Sequence, residues 1–264
     1  MKISICIPTY NRESELEKLF QSLYLNNSLE KLEIIIVDDG STDNSKVLIQ
    51  KHIDKNKLLI KYHYQENSGR GVALKEAVSL ATGDYIMLMD SDDFFLSDSI
   101  ETILTTISNN KQHSGFIFLC LDTQNRIIGS KFPNNIATAN LVELYSDYKV
   151  RGDKKEVVEA KYVKKWLYQN VFEERRVPTS LLWTNISKDI DFLLLNKAII
   201  VKDYLSDGMS KNLRKIQKQS PHGMYLLNKE KLFFPKYSSK TERVKSLLGT
   251  LYYGLLTVSK YKKL

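Results

Sequence analysis

The sequence DSDD at residues 90–93 places three carboxylates directly after the apolar run 85–89. Carboxylates this close repel one another, and burying them at the end of a strand is costly unless a cation lies beside them. Mg²⁺ and Mn²⁺ take oxygen ligands, commonly one or two carboxylates together with substrate phosphates. The run therefore predicts a divalent metal site. The alternative is that Asp92 or Asp93 only caps a helix that begins near Ser97.

Three further loops carry polar groups that suit a nucleotide. An aspartate can accept a hydrogen bond from a base N–H or a ribose hydroxyl, and an arginine offers forked donors to carbonyl or phosphate oxygens. Each loop alone is compatible with ordinary turn chemistry, but four in series favour a nucleotide site. The candidate residues are Pro8, Thr9, Tyr10 and Asn11 in the first loop, Asp38 and Asp39 in the second, and Asn67 and Arg70 in the third.

The elements that must position these loops alternate between strand and helix patterns. Apolar runs at 3–7, 33–37 and 85–89 and an alternating run at 59–64 indicate strands, and apolar residues at helical spacing between them indicate three helices, the last ended by Gly83. This order predicts an α/β fold with a mostly parallel sheet flanked by helices. It also places all four loops at the carboxyl ends of strands, the edge where open α/β sheets bind ligands.

The pattern beyond residue 98 is less regular. We predict a strand pair at 115–121 and 126–129, a strand at 157–163 and a helix at 178–187. Two short apolar runs, at 192–195 and at 198–204, follow. Neither a repeat nor a long linker interrupts the chain, which favours one continuous domain followed by a tail.

Charge is distributed unevenly over the 264 residues, which are 42% hydrophobic and 27% charged. This composition is that of a globular chain and excludes collagen-like and disordered classes. Of the net charge of +8, residues 209–264 carry +11, from 13 basic and two acidic residues, and residues 1–208 carry −3. Because the basic excess lies away from the nucleotide-like loops, we expect no nucleic-acid partner.

Cys6 and Cys120 both lie in apolar runs, which predicts buried, reduced thiols in a cytoplasmic protein. The first residues lack the apolar segment of a signal peptide. No window has the length of apolar sequence that a transmembrane helix requires. We therefore expect neither export nor a membrane-spanning segment.

The segments IPTYNR, IIIVDDGSTDNS and QENSGRGVALKEAVSLATGDYIMLMDSDD resemble, as a set, the N-terminal half of family 2 glycosyltransferases with the GT-A fold. The resemblance covers residues 1–100 and implies transfer of a sugar from a nucleotide sugar, most simply a UDP-sugar. It implies that the first two loops hold the base and ribose and that Arg70 contacts the base. It further implies that Asp90 lies near the ribose or sugar and that Asp92 binds Mn²⁺ or Mg²⁺.

The second half resembles the family less closely. Its segments GDKKEV and EERRVPTSLLW are similar to a capsular or exopolysaccharide branch, in which a carboxylate just before a Trp-containing helix deprotonates the acceptor hydroxyl. Here that position holds Pro178-Thr179, without a carboxylate. We predict Glu173 or Glu174 as the base. Asp153 and Glu156 are the competing pair, and ordinary surface charge is the third interpretation.

The tail contains apolar residues at helical spacing over 244–258, with lysines at both ends. Such a helix suits a membrane interface, and the alternative is packing on the domain or in a homodimer. Because many polysaccharide-assembling members of the family act on lipid-linked acceptors, the resemblance implies a peripheral position at the inner face of the plasma membrane.

These observations together predict a metal-dependent, inverting glycosyltransferase that extends a lipid-linked bacterial surface polysaccharide, such as a capsule. Residues 1–98 form its nucleotide-sugar-binding half, residues 99–208 its acceptor half, and residues 209–264 a basic, helical C-terminal tail. The alternatives are a nucleotidyltransferase, which releases pyrophosphate, and a basic nucleic-acid-binding protein.

Overall fold

The computed structural model describes residues 1–167, 174, 176–203, 217–235 and 239–261. The strands are β1 Ile3–Thr9, β2 Leu32–Asp38, β3 Ile60–Tyr64, β4 Tyr85–Leu88, β5 Asp93–Phe95, β6 Gly115–Asp122, β7 Thr138–Ala139, β8 Lys154–Glu159 and β9 Phe192–Lys202. The helices are α1 Glu13–Tyr24, α2 Ser45–Asp54, α3 Arg70–Leu80, α4 Ser99–Asn109, α5 Leu141–Ser146, α6 Ala160–Trp166, α7 Thr179–Ile186, α8 Pro221–Leu232 and α9 Lys240–Tyr261.

Within these residues the nine strands form one sheet in the order β3-β2-β1-β4-β8-β6-β9-β5, with β7 also paired to β9. β3, β2, β1 and β4 are parallel, and β8 is antiparallel to both β4 and β6. β6 and β9 are parallel to each other, so they run in the same direction as β1. The predicted α/β fold with a mostly parallel sheet is confirmed. Strand order reverses beside β1, and the carboxyl ends of β1 and β4 flank this switch point.

Each face of the sheet has its own hydrophobic core, because successive side chains of a strand point to opposite faces. In β1, Ile5 and Ile7 pack with α1, α2 and α4, whereas Cys6 packs on the opposite face with α3, α6 and α7. Cys6 and Cys120 are both buried and free, as predicted. The two cores hold the strands rigidly, and the loops at their carboxyl ends are therefore fixed relative to one another.

A buried carboxylate, Glu33 of β2, fixes the opposite edge of the sheet. It accepts hydrogen bonds from the Ser4 hydroxyl, the Thr82 hydroxyl at 2.7 Å and the Gly83 amide at 2.9 Å, and Lys61 lies 3.0 Å away. Burial alone would raise the pKa of Glu33, but these hydrogen bonds outweigh it and lower the pKa to about 2. The carboxylate is thus ionised and ties β1 and β2 to the turn before β4.

Two of the predicted strands in the second half are wrong in part. The predicted strand at 157–163 begins earlier, at Lys154, and changes into helix at Ala160, because the ladder with β4 ends where the Ala160 amide bonds to the Asp84 carbonyl. Residues 126–129 form only one isolated bridge, between Ile127 and Leu121. The Asp122 carboxylate accepts from the amides of residues 124 and 126, and this local turn replaces a regular hairpin.

The short apolar run at 192–195 and the start of the run predicted at 198–204 belong to one strand, β9, which ends at Lys202. Its pairing with β6 shifts register around Leu119, and this irregularity interrupts the apolar pattern at Asn196 and Lys197. The predicted boundary at residues 208 and 209 lies outside the described part of the chain and remains a prediction.

Helices α8 and α9 form the C-terminal part of the described chain, and α8 packs against both α7 and α9. Gly249 makes the close approach of α8 and α9 possible, because a Cβ there would lie 2.2 Å from the Asn228 Oδ1 atom. The tail helix predicted over 244–258 is confirmed and extends from Lys240 to Tyr261. No helix in the described ranges is both long enough and apolar enough to cross a bilayer.

Candidate functional site

The carboxylates at the end of β2 join the loop after β2 to β3 and to the loop after β3. Asp38 is fully buried and accepts from the Ser41 amide at 2.8 Å and the Tyr62 hydroxyl at 3.0 Å. Asp39 accepts from the Ser68 and Gly69 amides, both at 2.8 Å. Both carboxylates therefore hold these two loops in place before any ligand binds.

Gly40 lets the second and third loops touch. Its φ is +82°, and a Cβ at this position would lie 2.9 Å from the amide nitrogen of Asn67. On the other side, the Asn11 side-chain oxygen accepts from the Thr42 amide at 2.8 Å. The structure thus brings the predicted residues Asn11, Asp38, Asp39 and Asn67 into one loop cluster.

The remaining residues of the first loop differ in exposure. Pro8 and Thr9 are buried at the end of β1, and Tyr10 is 47% exposed, so its ring is free to stack on a planar ligand. The Thr9 hydroxyl is buried and has no hydrogen-bond partner among the described residues. A buried hydroxyl without a partner is uncommon and marks this end of β1 as a place to look for a ligand.

The aspartate cluster after β4 is neutralised by three cations from different elements. Arg70, at the start of α3, donates to Asp90 from Nε at 3.2 Å, and Lys202, at the end of β9, lies 2.8 Å from Asp93. Lys155 of β8 lies 3.5 Å from Asp93. Burial alone would raise the pKa of Asp90, but Arg70 and Lys202 hold it well below its ordinary value.

Asp92 differs from its neighbours because no cation of the described chain lies within 4 Å of its carboxylate. Burial, together with the charges of Asp90 and Asp93, raises the pKa of Asp92 to about 6. One oxygen from each of the three carboxylates lies within 4.8 Å of the others. This oxygen set fits Mg²⁺ or Mn²⁺, and a cation beside Asp92 would offset the repulsion that raises its pKa.

A cavity of about 580 Å³ opens beside this cluster and extends between β8, α5, α7, α8 and α9. Asp90, Asp153 and Glu156 line it, and so does Thr179, whose hydroxyl accepts from Arg70 Nη1 at 3.3 Å. Glu156 is 9% exposed, and no described side chain donates a hydrogen bond to it. Burial raises the pKa of Glu156 to about 7, with Lys155 opposing the shift and Asp153 adding to it.

Glu174 is placed elsewhere. It is 4% exposed and accepts from the His222 amide at 2.9 Å, the Gly223 amide at 2.8 Å and the Tyr261 hydroxyl at 3.2 Å. Two of these donors are orphan amides of the first turn of α8, so the carboxylate holds this helix end in place. Glu174 is not among the residues that line the cavity, and Glu173 lies outside the described residues.

Lys155 and Lys202 are functional-site residues that sequence reasoning missed. Each neutralises the aspartate cluster, and each comes from a strand remote in sequence from β4. The signal was a lysine inside an otherwise apolar strand, in KKEVVE for β8 and in AIIVK for β9. A cation on a buried strand needs a carboxylate partner, and the DSDD run contains three carboxylates that could pair with it.

Sequence comparison identifies relatives of this chain. The model of the family described as "Glycosyl transferase family 2" matches residues 4–151, more than half of the chain. An uncharacterized glycosyltransferase of Haemophilus influenzae is 37% identical over 123 residues, which are 46% of this chain and 49% of that protein. The chain spans half or less of the length of the first curated relatives that it matches. The matches to the next two relatives cover 41% and 30% of those proteins.

A longer match joins the chain to a Campylobacter jejuni protein named GalNAc(5)-diNAcBac-PP-undecaprenol beta-1,3-glucosyltransferase. The two are 28% identical over 233 residues, which cover 81% of this chain and 70% of that protein. This match covers too much of the chain to be confined to the loops after β1 to β4, and it includes the second half of the sheet.

Solved structures share the fold. TarS 1-349 of Staphylococcus aureus in complex with UDP-GlcNAc has a TM-score of 0.66 at 19% identity, over 98% of this chain and 73% of that chain. The mannosyltransferase PcManGT of Pyrobaculum calidifontis, in complex with GDP-Man and Mn²⁺, has a TM-score of 0.64 at 12% identity, over 98% and 75%. At such identities the likeness shows the fold alone, which is GT-A. Because the matched family segment contains all four loops at the sheet edge, this chain belongs to family 2 of the glycosyltransferases.

Proposed function

We propose that this enzyme is metal-dependent and inverting, and that it moves a sugar from a UDP-sugar to a hydroxyl of a lipid-linked bacterial surface saccharide. The observation that carries the proposal is that Asp90 of the aspartate cluster and a separate buried carboxylate, Glu156, line the same cavity. The UDP-GlcNAc held by TarS supports the donor class. The undecaprenol named in the Campylobacter relative supports the acceptor class.

On the donor side, the first three loops would hold the uracil and ribose. Asn11, Asp38 and Asp39 keep these loops together, and the exposed Tyr10 ring offers a stacking surface. Asp92, with Asp90, would hold Mn²⁺ or Mg²⁺. Such an ion, when bound, offsets the charge that develops on a leaving nucleoside diphosphate. Arg70 and Lys202 keep Asp90 ionised and correctly oriented for this role.

On the acceptor side, we propose Glu156 as the base, because the usual position of the base in the family holds Pro178-Thr179 and has no carboxylate here. The acceptor oxygen forms its bond to the anomeric carbon as the bond from that carbon to the phosphate oxygen breaks, and Glu156 takes the hydroxyl proton. A carboxylate with a pKa of about 7 accepts a proton readily at neutral pH. Asp153, 51% exposed and 4.0 Å from Lys202, is the second candidate.

Glu173 and Glu174 remain predictions for the same role. For Glu174 the geometry favours a structural function, because its oxygens accept from the first turn of α8. Replacing Glu174 by Gln would then lower stability, whereas replacing the true base by Gln would stop transfer without unfolding the protein.

We further propose that α9 contacts the inner face of the plasma membrane. Its apolar residues Val244, Leu248, Leu251 and Leu255 are 56%, 60%, 59% and 74% exposed. Lysines flank this face, and an apolar helix face with basic ends suits the interface of an anionic bilayer. Burial of the same face in a homodimer is the competing arrangement, and solution mass measurement distinguishes the two.

The test is a screen of nucleotide sugars for thermal stabilisation, with and without Mn²⁺, because a ligand that binds only the folded state raises its apparent stability. UDP and one UDP-sugar should stabilise the protein in a Mn²⁺-dependent manner, and Asp92→Asn should lose that dependence. Equal stabilisation with and without Mn²⁺ in both proteins would refute the metal role. The released product decides the reaction class, because a nucleotidyltransferase would release pyrophosphate instead of a nucleoside diphosphate.

A further inference from the structure

The cavity has a second end, remote from the aspartates in sequence and built by α8 and α9. Asn228 and Lys231 of α8, and Glu242, Lys245 and Ser246 of α9, line it. We propose that this end binds an anionic group of the acceptor, a phosphate or a diphosphate. The inference rests on the proposed function and adds the chemical class of the acceptor.

The charges at this end are unbalanced. Lys245 lies 2.7 Å from Glu242, and the charges of Lys149 and Lys231 also act on that one carboxylate. No carboxylate of the described chain lies within 4 Å of the Lys231 ammonium, and its burial lowers the pKa of Lys231. Three cations around a single carboxylate leave a net positive site, and an anion between them would offset the cost of burying Lys231.

The wall that carries these lysines is rigid. Asn228 and Lys231 are three residues apart on α8 and therefore share a face. The Asn228 amide donates to the Met224 carbonyl at 2.8 Å, and Gly249 of α9 lies directly against the Asn228 side chain. A larger residue at 249 would have to displace the Asn228 side chain, so the contact between Asn228 and Gly249 helps to set the spacing between the α8 and α9 lysines.

The two ends of the cavity differ in the balance of their charges, and this gives the acceptor a direction. Asp90, Asp153 and Glu156 line one end together with Arg70, Lys155 and Lys202, which offset their charge, whereas Glu242 is the one carboxylate among the described lining residues beside Lys231 and Lys245 at the other end. An anionic group is therefore favoured at the lysines. An acceptor with its anionic group at the lysines directs its free hydroxyl toward Glu156. The same α9 carries the exposed apolar face, so a phosphate attached to a lipid would reach the lysines from the membrane side.

The test uses the full chain saturated with UDP, so that the donor site is closed to the probe. Inorganic pyrophosphate, farnesyl diphosphate and uncharged farnesol are titrated by calorimetry into wild type, the double variant Lys231→Gln/Lys245→Gln and the matched control Lys229→Gln, an exposed lysine of α8 outside the cavity lining. We expect both diphosphates to bind wild type and Lys229→Gln equally, and the double variant at least about tenfold more weakly. Farnesol should not show this lysine dependence.

UDP affinity is measured in wild type and in every variant. Failure of wild type to bind UDP counts against the proposed function and not against the lysine site. Retained UDP affinity in the double variant shows that it is folded. Tighter binding of farnesyl diphosphate than of pyrophosphate supports a lipid diphosphate as the source, and equal binding supports a soluble phosphate group. The proposal is overturned if UDP-saturated wild type binds neither diphosphate, or if the double variant binds them as Lys229→Gln does.

Discussion

Replacing Glu156 by Gln should stop sugar transfer and, at the same time, stabilise the protein above neutral pH. Gln keeps the shape of the side chain and removes its charge and its basicity. Replacement of a residue that serves only the fold would not combine loss of transfer with a gain in stability, because removing a structural carboxylate lowers stability. The variant therefore separates catalytic from structural roles of this one group.

The magnitude follows from the pKa, which burial raises from the ordinary value of 4.5 to about 7. Between these values the folded state binds a proton that the unfolded state has released, so the free energy of unfolding falls as pH rises. The difference of about 2.5 units corresponds to about 3 kcal/mol. This stability is fully present below pH 4.5 and is lost as the pH rises through about 7. Glu156→Gln has no such loss.

The measurement is denaturant unfolding of wild type and Glu156→Gln at pH 5 and at pH 8, without ligand. From pH 5 to pH 8, the free energy of unfolding of the variant should rise relative to that of wild type by about 3 kcal/mol. Transfer is followed in parallel as kcat/KM against pH. Wild type should rise about tenfold from pH 6 to pH 8, as the ionised fraction of a base with a pKa near 7 requires.

Two results would refute the reasoning. Full transfer by Glu156→Gln would remove this residue from catalysis and return the role to Asp153 or to Glu174. An equal stability difference between the two proteins at pH 5 and pH 8 would show that the buried carboxylate is not held near neutrality. Asp153→Asn is a second test of the same group, because removing the Asp153 charge should lower the pKa of Glu156 and move the loss of wild-type stability to lower pH.

Three further perturbations test other contacts. Glu33→Gln should lower the free energy of unfolding near neutral pH by about 3 kcal/mol, because the ionised carboxylate gains its hydrogen bonds only in the folded state. The variant should also lose less stability than wild type as the pH falls toward 2, and denaturant unfolding measures both effects. Gly249→Ala should lower the free energy of unfolding by about 1–3 kcal/mol, because the new methyl group would force Asn228 aside. Gly254→Ala is the control and should leave the free energy of unfolding unchanged, because its Cβ would meet only Tyr225, at 3.4 Å. Equal losses in the two variants would contradict the close packing of α8 against Gly249. Leu251→Glu/Leu255→Glu should reduce flotation with anionic vesicles while UDP affinity is unchanged, and undiminished flotation would exclude this face as the membrane contact.

The first half of the fold could be predicted because its signals are local. Each strand from β1 to β4 is a short apolar run followed by a polar loop, and parallel strands bring such loops to one edge. Asp38, Asp39 and Asp90 lie there as the pattern requires. The same locality explains α9, whose apolar spacing is visible without knowledge of any partner element.

The acceptor side could not be predicted in the same way, because its key contacts join residues far apart in sequence. Lys202 reaches Asp93 across 109 positions, and nothing near either residue indicates the pairing. Glu174 lies a few residues before Pro178-Thr179, the position that the family resemblance favours, yet its carboxylate already accepts hydrogen bonds from two α8 amides. Glu156 lies inside a strand, where period-two patterning says which face it takes but not that a cavity covers that face.

The antiparallel course of β8 has a consequence for how such enzymes diverge. Since β8 runs against β4, its first residues and the last residues of β4 arrive at the same edge of the sheet. Asp153, at the end of the connection that precedes β8, and Glu156, near the start of β8, therefore enter the cavity from a segment that is separate from the loops after β1 to β4. Under the proposed function, insertions or deletions in that connection would change acceptor choice while the loops that would hold the nucleotide stay intact. Donor and acceptor specificity could then evolve as separate traits on one sheet.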